Sequence, residues 1–385
     1  MREGYKDAAC VVLALAACAV FTYLFLEIEQ QWEVAALAIG ALAVMLVMRG
    51  RAIGTRVERS AAASPRTAVV MTMIAVLIVA AALHESHFAL LMLATVALFV
   101  TVCLGLTIQF GYAGIVNFAG AAFFGIGCYT TAVLAAHTPL PHIAVIAASG
   151  LTAALIGSIL ILPILRTRGH YAALITIAFG ILFKTFLEVN DILGGPQGLK
   201  VPGMTLFGWS FNEPVRITDN IEASFYINYV VLAVALAASA FVIAKRLERS
   251  WIGLNFDAVR LDETAASVFG IGVARWKILA FTLGNFFTGT AGAVYAMMTG
   301  FIAPNSFTFG DSLILVSIVI LGGLGNAVGV IPAALLLLVL PEKLQVLQEY
   351  RFLLYAVLVI LILLYRPEGL LPRRLRDYFP NRRNA

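Results

Sequence analysis

Long apolar runs, each close to the length that carries a helix across a bilayer, alternate here with loops that hold nearly all of the charge. No other feature narrows the possible folds as much. Lipid offers a peptide group no hydrogen-bond partner, so such a run must satisfy its backbone internally as a helix. With about 20 residues per span, the spans fall near 8–26, 33–48, 67–83, 88–108, 118–136, 142–162, 171–187, 225–244 and 277–298. Composition agrees: 61% of residues are apolar and only 12% charged, about half the charge of an ordinary soluble domain. The net charge of +5 is concentrated in the tail, where Arg366, Arg373, Arg374, Arg376, Arg382 and Arg383 face only Glu368 and Asp377. Basic residues at the ends of apolar runs follow the positive-inside rule, whereas a nucleic-acid binder spreads them over a folded face. The expectation is an all-α, polytopic helical bundle whose solvent is the lipid bilayer, with no nucleic-acid partner.

The same charges orient the chain. The loop 49–66 carries Arg49, Arg51, Arg56, Arg59 and Arg66 against Glu58, while 27–33 carries Glu27, Glu29 and Glu33 and no base. The first loop is therefore expected inside and the second outside, which puts the N-terminus inside. Counting forward places Arg166 and Arg168 inside, the acid-rich loop 188–224 outside, and the loop 245–277, with six bases against four acids, inside. The register fails next if 312–340 is one helix, because the run 353–365 would then deliver the Arg-rich tail outside. Turning the chain back at Gly322-Gly323-Leu324-Gly325-Asn326 restores both termini to the inside and gives twelve segments, or ten if the pair is re-entrant.

The four cysteines, Cys10, Cys18, Cys103 and Cys128, lie in apolar stretches without metal-ligand spacing and read as core residues. Leu15-Ala16-Ala17-Cys18 resembles a lipoprotein cleavage box, but the apolar run continues through Leu26, which favours an ordinary first span. His84-Glu85-Ser86-His87 is one residue short of HExxH, so no metal is expected there, and neither GxSxG nor GxxxxGK[ST] occurs. The spans hold no series of buried carboxylates to relay protons, and Lys184 and Glu188 form an i, i+4 pair near one span end. No catalytic residue and no cofactor of the chain's own is expected.

Two glycine-rich breaks interrupt membrane-depth sequence: Gly105 through Gly127, and Gly322 through Asn326. A freed peptide group in lipid costs several kcal/mol unless it lines protein or water, so such breaks are candidates for a translocation pathway. The candidate residues are Gly111, Gly114, Asn117, Gly120, Phe123, Gly125 and Gly127 in the first, and Gly322, Gly323 and Asn326 in the second. Asn117 is the polar group expected to meet substrate in a wall otherwise made of Ile115, Val116, Phe118 and Phe123. The pattern also suits corresponding positions of an internally duplicated transporter. Against both readings, the glycines can simply let helices pack closely, within the bundle or against a neighbouring subunit.

The loop 245–277 carries Phe256, Val259, Ala266 and Phe269 at near-helical spacing, with Gly270 where a C-terminal cap would stand. A short amphipathic helix over 256–270 is expected, either docked on a partner or resting on lipid headgroups. Within it Glu263, Ala265, Ala266 and Gly270 resemble the EAA-type coupling loop of ABC-transporter permeases. The further words Lys277-Ile278-Leu279-Ala280-Phe281, Gly111-Tyr112-Ala113-Gly114, Gly194-Gly195-Pro196-Gln197-Gly198, Ser306-Phe307 and Leu321-Gly322-Gly323-Leu324-Gly325 complete the likeness. Together, over about 88–370, they resemble the M-type permease subunit of the branched-chain amino-acid importers. Asn117-Phe118-Ala119-Gly120 departs from that pattern, standing where many relatives have Ser-Leu-Gly-His.

The resemblance implies a non-enzymatic subunit of a bacterial inner-membrane importer. It implies as partners a second homologous permease, two cytoplasmic ATPase subunits that bind the ATP, a periplasmic substrate-binding protein and an amino-acid substrate. It also implies a division into an N-terminal extension of about three spans (1–84), a permease core (85–370) and a basic cytoplasmic tail (371–385). A urea or short-chain amide permease shares most of these words. A facilitator without ATPase is a further alternative, and an intramembrane enzyme a more distant one.

Overall fold

The computed structural model describes residues 65–167, 171–206, 208–218 and 221–344, with scattered positions between 16 and 40 and between 350 and 373. The expected spans 8–26, 33–48 and 353–365, and the tail beyond Arg373, lie wholly or largely outside the described residues. Within them the chain is a helical bundle of α1 (Pro65–Ala82), α2 (His87–Leu106), α3 (Gly120–His137), α4 (His142–Leu165), α5 (Tyr171–Val189) and α6 (Tyr226–Arg249). It continues through the short α7 (Trp251–Leu261) and α8 (Glu263–Val268) to α9 (Val273–Thr299), α10 (Phe309–Gly322) and α11 (Ala327–Lys343). Seven helical segments among the described residues are long and apolar enough to cross a membrane. The chain is an all-α, polytopic membrane protein in architecture.

Helix α9 is the hub. Helices α2, α3 and α4 pack against it, and small residues set the spacing, because side chains at these crossings would hold the backbones apart. A Cβ built on Gly127 would lie 2.2 Å from the Gly289 carbonyl oxygen, so α3 and α9 touch backbone to backbone. Helix α5 is the least buried of the long helices, exposing Leu174, Ile181, Leu182 and Phe186; its Lys184 and Glu188 are paired at 3.2 Å.

The loops sort to two ends. At one end lie short strands, too brief to register as an alternating pattern, of which one pair joins segments far apart in sequence and two are local hairpins. β1 (Leu199–Lys200) pairs antiparallel with β6 (Phe301–Ile302), β2 (Thr205–Leu206) with β3 (Trp209–Ser210), and β4 (Val215–Thr218) with β5 (Ile221–Ala223). The Val201 N–H reaches the Gly300 carbonyl at 2.9 Å, and the Ser224 N–H reaches that of His84 at 2.9 Å. In the turn that precedes β1, Gly194, Gly195 and Gly198 each have positive φ. This is the strand end.

At the opposite, junction end lie α7, α8, both glycine-rich breaks and Arg373. The segment 312–340 does turn back: α10 ends at Gly322 and α11 begins at Ala327, with Asn326 capping the Val328 N–H at 3.0 Å. Gly322 and Gly329 let the two helices touch, a Cβ on Gly329 falling 1.8 Å from the Gly322 oxygen. Helix α11 then runs back to the strand end, where Lys343 Nζ donates to the carbonyls of Leu26 (2.7 Å) and Ile28 (3.0 Å) and lies over the Phe88 ring.

Candidate coupling and translocation site

The loop after α6 departs from its expected form. One helix over 256–270 is replaced by α7 and α8, with a break at Asp262. Asp262 is extended (φ −158°, ψ 109°), and its carboxylate accepts from the N–H groups of Thr264 (2.8 Å) and Ala265 (3.0 Å). An Asp that caps a new helix in this way ends the one before it. Helix α7 has its own cap, the Ser250 hydroxyl accepting from the Gly253 N–H at 3.4 Å. Helix α8 closes on Gly270 (φ +81°), with the Ile271 N–H donating to the Ala266 carbonyl at 3.0 Å, as the C-terminal reading of that glycine anticipates.

The expected apolar face is buried on both sides of the break except at Phe269. Phe256, Val259 and Ala266 are buried within the chain, Phe256 lying edge-on to Trp276 at 5.8 Å. Phe269 is 84% exposed and Val268 79%, with Leu261 also exposed beside them. The apolar tip of this loop is therefore Leu261, Val268 and Phe269, which spacing alone does not single out. Of the four coupling candidates, Ala266 faces inward, Ala265 and Gly270 are exposed, and Glu263 pairs with Lys277 at the start of α9.

Behind this tip the loop meets the first break. Arg260 donates to the Gly111 carbonyl at 2.6 Å. Burial lowers the Arg260 pKa, with nearby Arg373 adding to the shift and Asp257 opposing it. Gly111 in turn abuts the second break, a Cβ there falling 2.3 Å from Gly325 Cα. The two breaks thus share one end of the bundle. Repeats of inverted topology would carry corresponding breaks to opposite ends.

The glycines from 111 to 127 do not share a helix. Helix α2 widens into a π-helical turn, Thr107–Tyr112, residues 113–119 are irregular, and α3 starts only at Gly120. The peptide groups freed here find side chains from distant helices. Phe118 N–H donates to Thr176 Oγ1 at 3.1 Å, and Ala121 N–H to Ser312 Oγ at 3.1 Å. At the centre is Gln109, fully buried. Its Nε2 donates to the Phe281 carbonyl (3.1 Å) and to Asn285 Oδ1 (3.0 Å), and its Oε1 accepts from Asn117 Nδ2 at 2.7 Å. Asn117 Oδ1 accepts from the Ala119 N–H at 2.9 Å, so in this conformation its amide braces the break from within.

Gln109, Thr176, Asn285 and Ser312 are the residues that sequence reasoning missed. Their signal was a polar amide or hydroxyl inside an apolar run, which costs free energy unless paired. The remaining pathway candidates, Gly114 excepted, are packed inside the chain. Phe123 stacks on Phe179 at 5.3 Å, Gly120 faces Leu106 and Leu315, and Gly125 faces Phe183 and Phe307. Gly114, with φ +70°, is exposed beside the Arg260 side chain. Gly322, Gly323 and Asn326 form the turn between α10 and α11. Close packing of these glycines is thus against the chain's own helices.

Comparison with known proteins joins these features to a family. Residues 88–364 match the model of the family described as branched-chain amino acid transport system / permease component. The chain is 35% identical over 288 residues to the high-affinity branched-chain amino acid transport system permease protein LivM of Escherichia coli K12, covering 71% of this chain and 68% of that protein. It is 26% identical to a probable LivM of Methanocaldococcus jannaschii (72% and 91% covered), and 23% identical to LivH of Salmonella typhimurium (71% and 90%). No solved structure matches. The matched region holds both breaks, the buried amide network and the α7–α8 loop, and the chain belongs to the family of branched-chain amino acid transport system permease components.

Proposed function

We propose that this permease subunit carries branched-chain amino acids from the periplasm to the cytoplasm as one of two homologous permeases, driven by ATP hydrolysed on two partner ATPases. The observation that carries the reading is a 35% match to LivM across a region that includes an exposed apolar tip on a charged loop. An apolar tip on that loop suits a protein groove, and Glu263, Ala265, Ala266 and Gly270 form the frame that presents Leu261, Val268 and Phe269 to it. The junction end is cytoplasmic in this reading, since it holds six bases in 245–277 and leads into the Arg-rich tail. The strand end is periplasmic and offers the binding protein an ordered surface.

Both termini are then inside, in a bacterial inner membrane, with twelve spans. The crossing of α11 from the breaks back to Leu26, Ile28 and Phe88 favours two short spans over a re-entrant pair. Residues 1–84 form an extension ahead of the matched permease core, and 371–385 a basic tail. Gly111, Gly114, Asn117, Gly120, Phe123, Gly125, Gly127, Gly322, Gly323 and Asn326 frame the pathway by holding its break points, with no cofactor or metal in the chain itself.

The test is assembly. A tagged chain expressed with its genomic neighbours should purify with a second permease and ATPase subunits. Purification alone, with leucine flux that needs no ATP, would assign a facilitator instead.

A further inference from the structure

The guanidinium of Arg373, 7% exposed, lies where four separate parts of the chain meet. Its two terminal nitrogens bind both oxygens of Asp257 on α7, at 2.8 and 3.1 Å. Its Nε lies 3.5 Å from Glu248 Oε1 at the end of α6, and its plane sits 4.7 Å from the centre of the Tyr112 ring in the π-helical turn. Nη1 also reaches the Gly111 carbonyl at 3.4 Å. On the other side the stem passes over Gly325, where a Cβ would fall 2.7 Å from Arg373 Cδ. The strap that carries it is tied to the same turn, with the Leu371 N–H donating to the Gly322 carbonyl at 3.3 Å and Asn326 Nδ2 to the Leu371 carbonyl at 3.0 Å.

We propose that Arg373 is a positioning residue that joins α7, the helix that leads into the ATPase-facing tip, to both glycine-rich breaks, so that displacement of α7 moves the breaks with it. Anchoring the tail to the bundle would need only the two bonds of Leu371 to the α10–α11 turn. The fork on Asp257 adds something those bonds do not, a fixed orientation between α7 and the turn. Stability alone gives little reason for the pair, since replacing a buried ion pair with apolar side chains is often neutral. The sharing of one arginine side chain, its guanidinium by α7 and Tyr112 and its stem by Gly325, makes a contiguous mechanical link, and its weak points are single side chains. The inference rests on the ATP-driven reading above.

The test uses the full complex in proteoliposomes, with ATP hydrolysis and leucine uptake measured on the same preparation. Arg373→Gln should leave the complex assembled and its ATPase active while uptake per ATP falls about ten-fold, within the usual range for an energetic coupling between sites. Asp257→Asn, which keeps the volume and one acceptor, should do the same, and it decides the matter if Arg373→Gln does not assemble. Unchanged uptake per ATP in an assembled variant overturns the proposal, and so does failure of both variants to assemble, which would make the cluster purely structural. A wild-type complex whose uptake needs no ATP would instead overturn the transport reading itself.

Discussion

The two ends of the bundle are joined by different chemistry. At the strand end, distant segments meet main chain to main chain, as in the pairing of β1 with β6 and the bond from Ser224 to His84. At the junction end, beside the apolar packing of Phe256 on Trp276, the polar contacts of α7 and α8 with the rest of the bundle run through long charged side chains: Arg260 to Gly111, Arg373 to Asp257 and Lys277 to Glu263. A main-chain joint with glycines in special conformations holds one geometry. A joint made by side chains can be re-aimed by rotamer changes while the helices on either side stay intact, and the buried fork of Arg373 on Asp257 keeps its geometry as long as both partners are paired. In this account the strand end is the fixed cap and the junction end the part that responds to ATP.

The largest effect should come from breaking the fixed end. Gly198 has φ 73° and ψ −168°, a region essentially restricted to glycine, and a Cβ there would lie 2.1 Å from the Ile302 carbonyl oxygen. Gly198→Val therefore combines backbone strain of about 1–3 kcal/mol with a clash against main chain. It should abolish monodisperse protein after detergent extraction, as followed by size-exclusion chromatography. Wild-type recovery and melting would show that the strand end is as adaptable as the junction.

Phe269→Asp probes the other end without touching the fold. An exposed anchor at a protein interface costs about 2 kcal/mol or more when lost, roughly thirty-fold in affinity. ATPase co-purification should fall by that order while the melting temperature of the isolated subunit stays unchanged. Normal co-purification would move the docking surface elsewhere.

Smaller still is Asp262→Ala. It removes the cap of α8 at a cost of about 1 kcal/mol, which should loosen the tip and weaken ATPase binding about five-fold. A titration of ATPase against the permease in nanodiscs would measure it. Last comes Lys184→Ala, which breaks a half-exposed pair on α5 and should change stability by less than about 1 kcal/mol, with uptake intact. A large loss of uptake would reveal a role for α5 beyond packing.

How much of this was legible in the sequence differs in the same way between the ends. Two of the long helices start where the apolar runs were expected to begin, α4 at His142 and α5 at Tyr171, and the turn at Gly322 to Asn326 follows from charge parity. The division of 251–268 into two helices was hidden because Phe256, Val259, Ala266 and Phe269 keep helical spacing across it. Asp262 reads equally as a surface residue of one long helix or as the cap of a second, and only the backbone decides. The amide network was out of reach for another reason. Gln109 and Asn285 are 176 residues apart, and nothing local pairs them. Strands of two residues, such as β1 and β6, leave no alternation to detect.

The most direct measurement of the central claim is radiolabelled leucine uptake into proteoliposomes holding this chain, its partner permease and two ATPases, with binding protein outside and ATP in the lumen. The account predicts uptake that requires lumenal ATP and binding protein and is competed by isoleucine and valine but not by urea or acetamide. Uptake that proceeds equally without ATP, or that is competed by the amides and not by the branched-chain amino acids, would contradict it.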